Sequence, residues 1–292
     1  MNKIQSFKKL QYMINLFYKK LLMILSLTFI ILELLNTPVR AQTQQNSYLT
    51  ATPWYESEGG NIRLAITELP LSGIRDGIIE ITLKPGWKTY WRNPGNSGMA
   101  PFFNFNQQVS YEIFYPTPQL YETENDWSLG YKDKVILPFT VSGSNKNLSG
   151  SFTLAFCNKI CLPFTINFDF SSLALKNKHL PASLLKKAQT ALPNTINHAF
   201  KITAEKDTNN LFIKIQNNNK IVPSALFLDG GEMQIGPAKK INENAEYTLF
   251  SAPVYFIPDE TKHRIFYTVS FKGNALSGTL ILDTQPTSLA NP

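Results

Sequence analysis

Cys157 and Cys161 are the only cysteines among 292 residues, and three residues separate them. A close thiol pair can pin one hairpin, exchange electrons with other thiols, or hold a soft metal ion. In a single extended strand, residues four apart lie about 13 Å from each other. A disulfide needs Cα atoms within about 7 Å. The chain must therefore turn within Asn158-Lys159-Ile160, and the strand-like flanks favour a β-hairpin over a helical turn. A ring this small stabilises a fold by about 2 kcal/mol in the chain-entropy picture, half of what a long loop gives. A short, strained bridge is also easier to reduce, and Lys159 inside the loop would favour a thiolate. On these grounds a redox-active pair and a structural bridge both stay open. A third reading is Cu(I) held by two thiolates with a thioether such as Met99. Zinc is not expected: His179, His198 and His263 fall outside the first group of strands, and there is no second cysteine pair.

The compartment bears on this choice. Lys3, Lys8, Lys9, Lys19 and Lys20 precede an apolar run from Leu21 to Leu32, and Val39-Arg40-Ala41 follows as a small-residue cleavage site. That order is expected of a targeting signal over residues 1–41, removed on export. Glu33 breaks the run before it reaches the length of a membrane span. Export leads to an oxidising compartment, where a thiol pair closes, and a periplasmic location is expected. Residues 1–41 hold six of the 28 basic and one of the 21 acidic residues, so the net charge of +7 falls to +2 without them. The basic balance is thus mostly the signal's and gives no reason to expect nucleic acid as a partner.

The elements that must position the pair are mostly strands. Residues 61–67 and 77–83 alternate in period two, and 134–141, 150–156 and 162–170 continue the set. Short strands separated by Gly, Pro and Asn predict an all-β sandwich over 48–171, interrupted by aromatic-rich loops at 85–105 and 115–131. Residues 172–198 predict a linker with a short helix between Pro181 and Pro193. Strands at 211–215, 225–228, 247–250, 264–271 and 278–282 predict a second, smaller all-β domain over 199–283, and 284–292 a polar tail.

Three stretches in this order resemble the N-terminal periplasmic domain of DsbD, and more closely its ScsB branch, named for suppression of copper sensitivity. They are Pro85-Gly-Trp-Lys-Thr-Tyr-Trp-Arg-Asn-Pro-Gly-Asn-Ser-Gly98, then Tyr115-Pro-Thr-Pro118 with Gly130-Tyr-Lys-Asp-Lys-Val-Ile-Leu-Pro138, then Cys157-Asn-Lys-Ile-Cys161-Leu-Pro163. The resemblance implies an immunoglobulin-like fold and a cofactor-free thiol–disulfide relay. Electrons would come from a membrane thiol reductase by way of a thioredoxin-like protein and pass to oxidised periplasmic proteins. By position, Cys161 would form mixed disulfides and Cys157 would resolve them. Asn125-Asp126-Trp127 matches the family's cap loop, which makes Trp127 the candidate cap and Asp126 a candidate for managing the proton of a departing thiolate. Tyr90 and Trp91 match aromatic positions near the pair. The gap between the cysteines is shorter than in DsbD. The chain also shows neither an eight-helix membrane domain nor a thioredoxin-like domain, so its electron donor is expected to be a separate chain. The rival expectation is a periplasmic binding or adaptor protein whose bridge is structural.

Overall fold

A computed structural model describes residues 13, 16–23, 48–68, 73–143, 148–171, 179–195, 201–217 and 222–284. The expected targeting segment, apart from residues 13 and 16–23, and the expected tail beyond 284 lie outside the described residues. Among the described residues, no helix is long and apolar enough to cross a membrane.

The strands of the first half are β1 (Tyr48–Ala51), β2 (Tyr55–Glu56), β3 (Gly60–Thr67), β4 (Ile74–Leu83), β5 (Lys88–Tyr90), β6 (Phe102–Phe105), β7 (Ser110–Ile113), β8 (Gln119–Glu122), β9 (Trp127–Lys132), β10 (Lys134–Ser142), β11 (Ser149–Cys157), β12 (Cys161–Asp169) and β13 (His179–Pro181). They form two sheets. One runs β13-β1-β3-β4-β10-β7 with β2 on β3; the other runs β12-β11-β5-β9-β8 with β6 on β11. Ile62, Leu64 and Ile66 sit at alternate positions of β3, and Phe152, Leu154 and Phe156 do the same on β11. These two sets meet in the core between the sheets, which is the physical content of the period-two pattern.

The first sheet is buried on its other face too. There α1 (Ser183–Thr190) lays Leu185 and Ala188 on Leu49, Ala51, Ala65 and Ile78. The helix is shorter than the two prolines predicted: Pro181 pairs with Tyr48 at the end of β13, and Pro193 directly precedes a strand. The region expected to be only a linker therefore covers part of a sheet.

The second half contributes β14 (Asn194–Thr195), β15 (Ile202–Lys206), β16 (Asn210–Gln216), β17 (Ala225–Asp229), β18 (Gln234–Ile235), β19 (Lys239–Glu243), β20 (Tyr247–Phe256), β21 (Lys262–Phe271) and β22 (Asn274–Asp283). The order is β14-β22-β21-β17 in one sheet and β15-β16-β20-β18 in the other, with β19 on β20. A second core of Leu211, Ile213, Phe250, Ile265 and Val269 fills this smaller sandwich. The two sandwiches are joined by contact. Phe227 of β17 belongs to the core of the first and meets Trp91 edge-on, ring centroids 6.5 Å apart. Asn93 Nδ2 donates to the Leu228 carbonyl at 2.8 Å.

The two aromatic-rich stretches expected as loops contain strands β5, β6, β8 and β9. Their strand character is hidden for two reasons. β5 has three residues and follows the turn at Pro85-Gly86. Residues 127–131 of β9 are all buried, so they carry no alternation.

Candidate functional site around the Cys157–Cys161 hairpin

β11 and β12 pair in register from Ser149 with Asp169 to Cys157 with Cys161, so the cysteines are the last opposed pair before the turn. Their sulfurs are bonded, and their Cα atoms lie 4.1 Å apart. Asn158, Lys159 and Ile160 form the turn and are exposed, with the Asn158 amide donating to the Ile160 carbonyl at 3.1 Å. Ile160, at 65% exposure, puts an apolar side chain into solvent next to the bond. The two sulfur-bearing residues differ in burial: Cys157 is 6% exposed, while Cys161 is only half-buried.

The neighbouring strand β5 supplies the polar surroundings. Lys88 lies opposite Cys157. Two residues on, Tyr90 is almost fully buried, and its hydroxyl lies 2.9 Å from Cys161 Sγ. A disulfide sulfur has no proton to give, so the phenol donates. Burial, helped by the negative charge of Asp126, pushes the Tyr90 hydroxyl up to about 12, which keeps it protonated. Thr89, on the opposite face of β5, donates to the Ala155 carbonyl at 3.0 Å and fixes β5 against β11. Met99 packs against the cluster of Tyr90, Ala155 and Cys157.

Lys88 Nζ donates to Ser128 Oγ at 2.6 Å and lies 5.9 Å from the Tyr90 ring centroid. Burial lowers its pKa and nearby Lys132 adds to this, while Asp126 opposes it. The cation set beside the pair by strand pairing is thus Lys88. Lys159, the expected one, projects from the exposed turn.

The remaining predicted residues divide. Asp126 accepts a 3.1 Å hydrogen bond from Ser97 Oγ and acts on Tyr90 and Lys88 through its charge, with no hydrogen bond to either sulfur. Trp91 and Trp127 belong to the core of the first sandwich. The apolar side chains packed around the bond are Tyr90, Ala155 and Met99, and Trp127 is not among them. The reason lies in β9: Trp127 is its first residue and points inward with Leu129 and Tyr131.

The sequence points to Met99 only as a soft donor to the thiol pair, and Lys88 is the residue that sequence reasoning did not bring to it. The signal for Lys88 was its place two before Tyr90, on the same face of one strand. Once reduced, the two thiols with the Met99 thioether are the soft donors nearest to hand for Cu(I). His179 packs at a tilt against Tyr48 and His263 is buried in the second sandwich, so neither joins them; His198 lies outside the described residues.

Residues 72–171 match the family model described as "Thiol:disulfide interchange protein DsbD, N-terminal". The thiol pair therefore lies within the segment that matches this family. That segment is 100 of the 292 residues. A crystal structure of the N-terminal periplasmic domain of ScsB from Proteus mirabilis is similar over a wider range. Its TM-score is 0.69 at 21% identity, covering 81% of this chain and 100% of that one. Such coverage reaches beyond the DsbD segment into the second sandwich, so the likeness of fold includes both. No curated protein matches the sequence.

Proposed function

We propose that this chain is a periplasmic thiol–disulfide exchange module that passes reducing equivalents through Cys157 and Cys161 to oxidised periplasmic proteins. The observation that carries the reading is the asymmetry at the bond. One sulfur, on Cys161, is half-buried and hydrogen-bonded by a buried phenol; the other, on Cys157, is shielded. The exchange domain is the first sandwich, over 48–171, joined through residues 172–198 to a second β domain over 199–283. The DsbD segment and the ScsB-like fold support the same reading.

The reaction runs as two thiol–disulfide exchanges. In the reduced protein the Cys161 thiolate attacks one sulfur of a partner's disulfide. A Cys161–partner bond forms, and the partner's other sulfur leaves as a thiolate and takes up a proton. Cys157, deprotonated, then attacks Cys161 Sγ. The intramolecular disulfide closes, and the partner's second thiolate departs. Two electrons and two protons have moved to the partner. A thioredoxin-like reductase on a separate chain reopens the bond by the reverse sequence. Tyr90 offers its proton as a hydrogen bond to Cys161, which favours the Cys161 thiolate as the attacking group in the first step and as the leaving group in the reverse sequence.

A purely structural bridge is the weaker reading. The hairpin is already zipped in register from Ser149–Asp169 to the cysteines, and closing a ring of this size adds only about 2 kcal/mol. The deciding experiment is the reduction potential of the pair in the purified protein, by equilibration against glutathione. A value between about −270 and −180 mV supports exchange. A value below about −300 mV means a bridge that stays closed, and the exchange reading fails.

A further inference from the structure

β12, which Cys161 opens, is the last strand of its sheet. It pairs with β11 on one side, and among the described residues no strand pairs with its other side. An edge strand left open is a template for another chain.

The two ends of the β11–β12 ladder show which backbone groups face that opening. At the turn, the Asn158 amide donates to the Ile160 carbonyl, and past the other end the Phe170 amide donates to the Leu148 carbonyl. Bonded and non-bonded opposites alternate along an antiparallel pair. Leu162, Phe164, Ile166 and Phe168 therefore bond to β11, while Cys161, Pro163, Thr165 and Asn167 turn their backbone groups outward. Three observations agree with this. The Cα atoms of Cys157 and Cys161 lie 4.1 Å apart, nearer the about 4.5 Å of a non-bonded pair than the about 5.5 Å of a bonded one. Pro163 has no N–H and fits only where β11 needs none. The Asn167 carbonyl accepts from the Tyr55 hydroxyl of the other sheet at 2.8 Å.

Tyr55 thus covers the far end of the edge. The end next to the disulfide stays open: Cys161 is half-buried, and Pro163 and Thr165 are exposed. The chemistry selects the same side. In thiol–disulfide exchange the attacking, central and leaving sulfurs lie in line. When Cys157 attacks Cys161 Sγ to release a partner, the partner's sulfur must leave on the side of Cys161 away from Cys157. Cys157 is on β11, so that side is the open edge of β12. A cysteine directly opposite Cys161 on an added strand would form a bonded pair, with Cα atoms about 5.5 Å apart. That spacing lies within the about 4.4–6.8 Å of a disulfide.

We propose that partners dock as an added antiparallel strand on the open edge of β12, so that the substrate is a disulfide whose cysteine lies in an extended, unpaired stretch of polypeptide. With that cysteine opposite Cys161, the residues two and four before it lie opposite Pro163 and Thr165. The first donates to the Pro163 carbonyl, and the second exchanges two hydrogen bonds with Thr165. The proposal rests on the exchange reading and adds to it the form of the substrate.

The test uses the reduced, purified chain and a peptide blocked at both ends, Thr-Val-Thr-Val-Cys, whose cysteine carries nitrothiobenzoate in a mixed disulfide. The Cys161 thiolate attacks the peptide sulfur, a Cys161–peptide bond forms, and nitrothiobenzoate leaves as a coloured thiolate whose release gives the rate. Cys157 then closes on Cys161 and frees the peptide thiol. Cysteine blocked at both ends, with the same leaving group, is the probe without a strand. Thr165→Pro removes the outward N–H and spares the bonds to β11; Thr165→Val keeps that N–H and lacks only the hydroxyl that meets Thr153. Thr165→Pro should slow the peptide about tenfold relative to Thr165→Val. It should leave the rate of the blocked cysteine unchanged, which also reports an intact hairpin. On the native chain, N-methylation four residues before the peptide's cysteine should slow the reaction about tenfold, and N-methylation three residues before it, facing away, should not. This pair carries the test should Thr165→Pro not fold.

Equal peptide rates in the two variants, or equal effects of the two methylations, overturn the docking and leave the exchange reading standing. A reduced chain that reacts with neither probe faster than Cys161→Ser does fails the exchange reading, and the docking with it. A dimer in sedimentation that Thr165→Pro dissociates would mean that the edge pairs with a second copy of this chain, which also overturns the proposal.

Discussion

The hydroxyl of Tyr90 lies 2.9 Å from Cys161 Sγ and donates to it, while Cys157, bonded to the same sulfur, is shielded beneath the hairpin. This hydrogen bond and the difference in burial separate the two sulfurs. It joins β5 to the first residue of β12 although β11 lies between them in the sheet.

Tyr90→Phe should therefore raise the pKa of the Cys161 thiol. A hydrogen bond to a charged group is worth about 1.5–3 kcal/mol, and 1.36 kcal/mol is about one pKa unit, so a rise of about 1–2 units is expected. The sign follows from the donor: removing it destabilises the thiolate and leaves the thiol unaffected. Because the phenol's own pKa is pushed up to about 12, the native effect should persist across the physiological range. The check is the pH dependence of iodoacetamide alkylation in a Cys157→Ser background. An unchanged profile would remove Tyr90 from the chemistry.

The two cysteines should behave unequally. Cys157→Ser should accumulate a mixed disulfide with a disulfide substrate, since the resolving thiol is gone and the exposed one remains. Cys161→Ser should trap little, because Cys157 is only 6% exposed. In the reduced native protein, alkylation should mark Cys161 about tenfold faster than Cys157. Mass spectrometry of the alkylated peptides reads the ratio, and equal labelling would contradict the assignment of roles.

Much of this arrangement was legible in the sequence, and what was not has a physical cause. The pairing of β11 with β12 follows from two alternating runs around a three-residue gap, and Ile62, Leu64 and Ile66 announce their inward face by period two. β9 does not announce itself: Trp127, Leu129 and Tyr131 face the core, and Ser128 and Gly130 are buried as well, so its pattern is uniform. That also bears on Trp127. A Trp two residues past an Asn reads as a loop residue until the strand it opens is known. Lys88 reaches the thiol pair through strand pairing, which is not local in sequence.

Glu80 gives the first sandwich an acid limit. Its carboxylate is almost completely buried and bonds Arg63 and Lys134, each at 2.6 Å. Burial alone would raise its pKa, but the hydrogen bonds and charges of Lys134 and Arg63 outweigh this and hold it below the ordinary 4.5. A group depressed in the fold contributes stability that is present above its unfolded value and lost as pH falls through its folded one. The melting temperature should therefore drop as pH falls below 4.5. Glu80→Gln should cost up to about 3 kcal/mol at pH 7, the low end for breaking a buried pair because Lys134 is half-exposed. It should also show a smaller difference between pH 7 and pH 4. A variant with the native acid slope would assign that slope to other carboxylates.

Gly130 sets the distance on which the Tyr90 contact depends. It pairs with Tyr90 across β5 and β9, and a Cβ at position 130 would overlap the Thr89 carbonyl oxygen and crowd the Tyr90 backbone. The obstacle is backbone, which cannot rotate away. Gly130→Ala must therefore push β5 from β9, at a cost of about 1–3 kcal/mol for overpacking. The shift should carry Tyr90 away from Cys161 and raise the thiol pKa in the same direction as Tyr90→Phe. If both changes act through one hydrogen bond, their effects on that pKa will not add. The Gly130→Ala/Tyr90→Phe protein should then show the pKa of Tyr90→Phe alone, while its loss of stability exceeds that of either single variant. Additive pKa shifts would mean that Gly130 acts on Cys161 by another route, with Lys88 on the same short strand the first candidate.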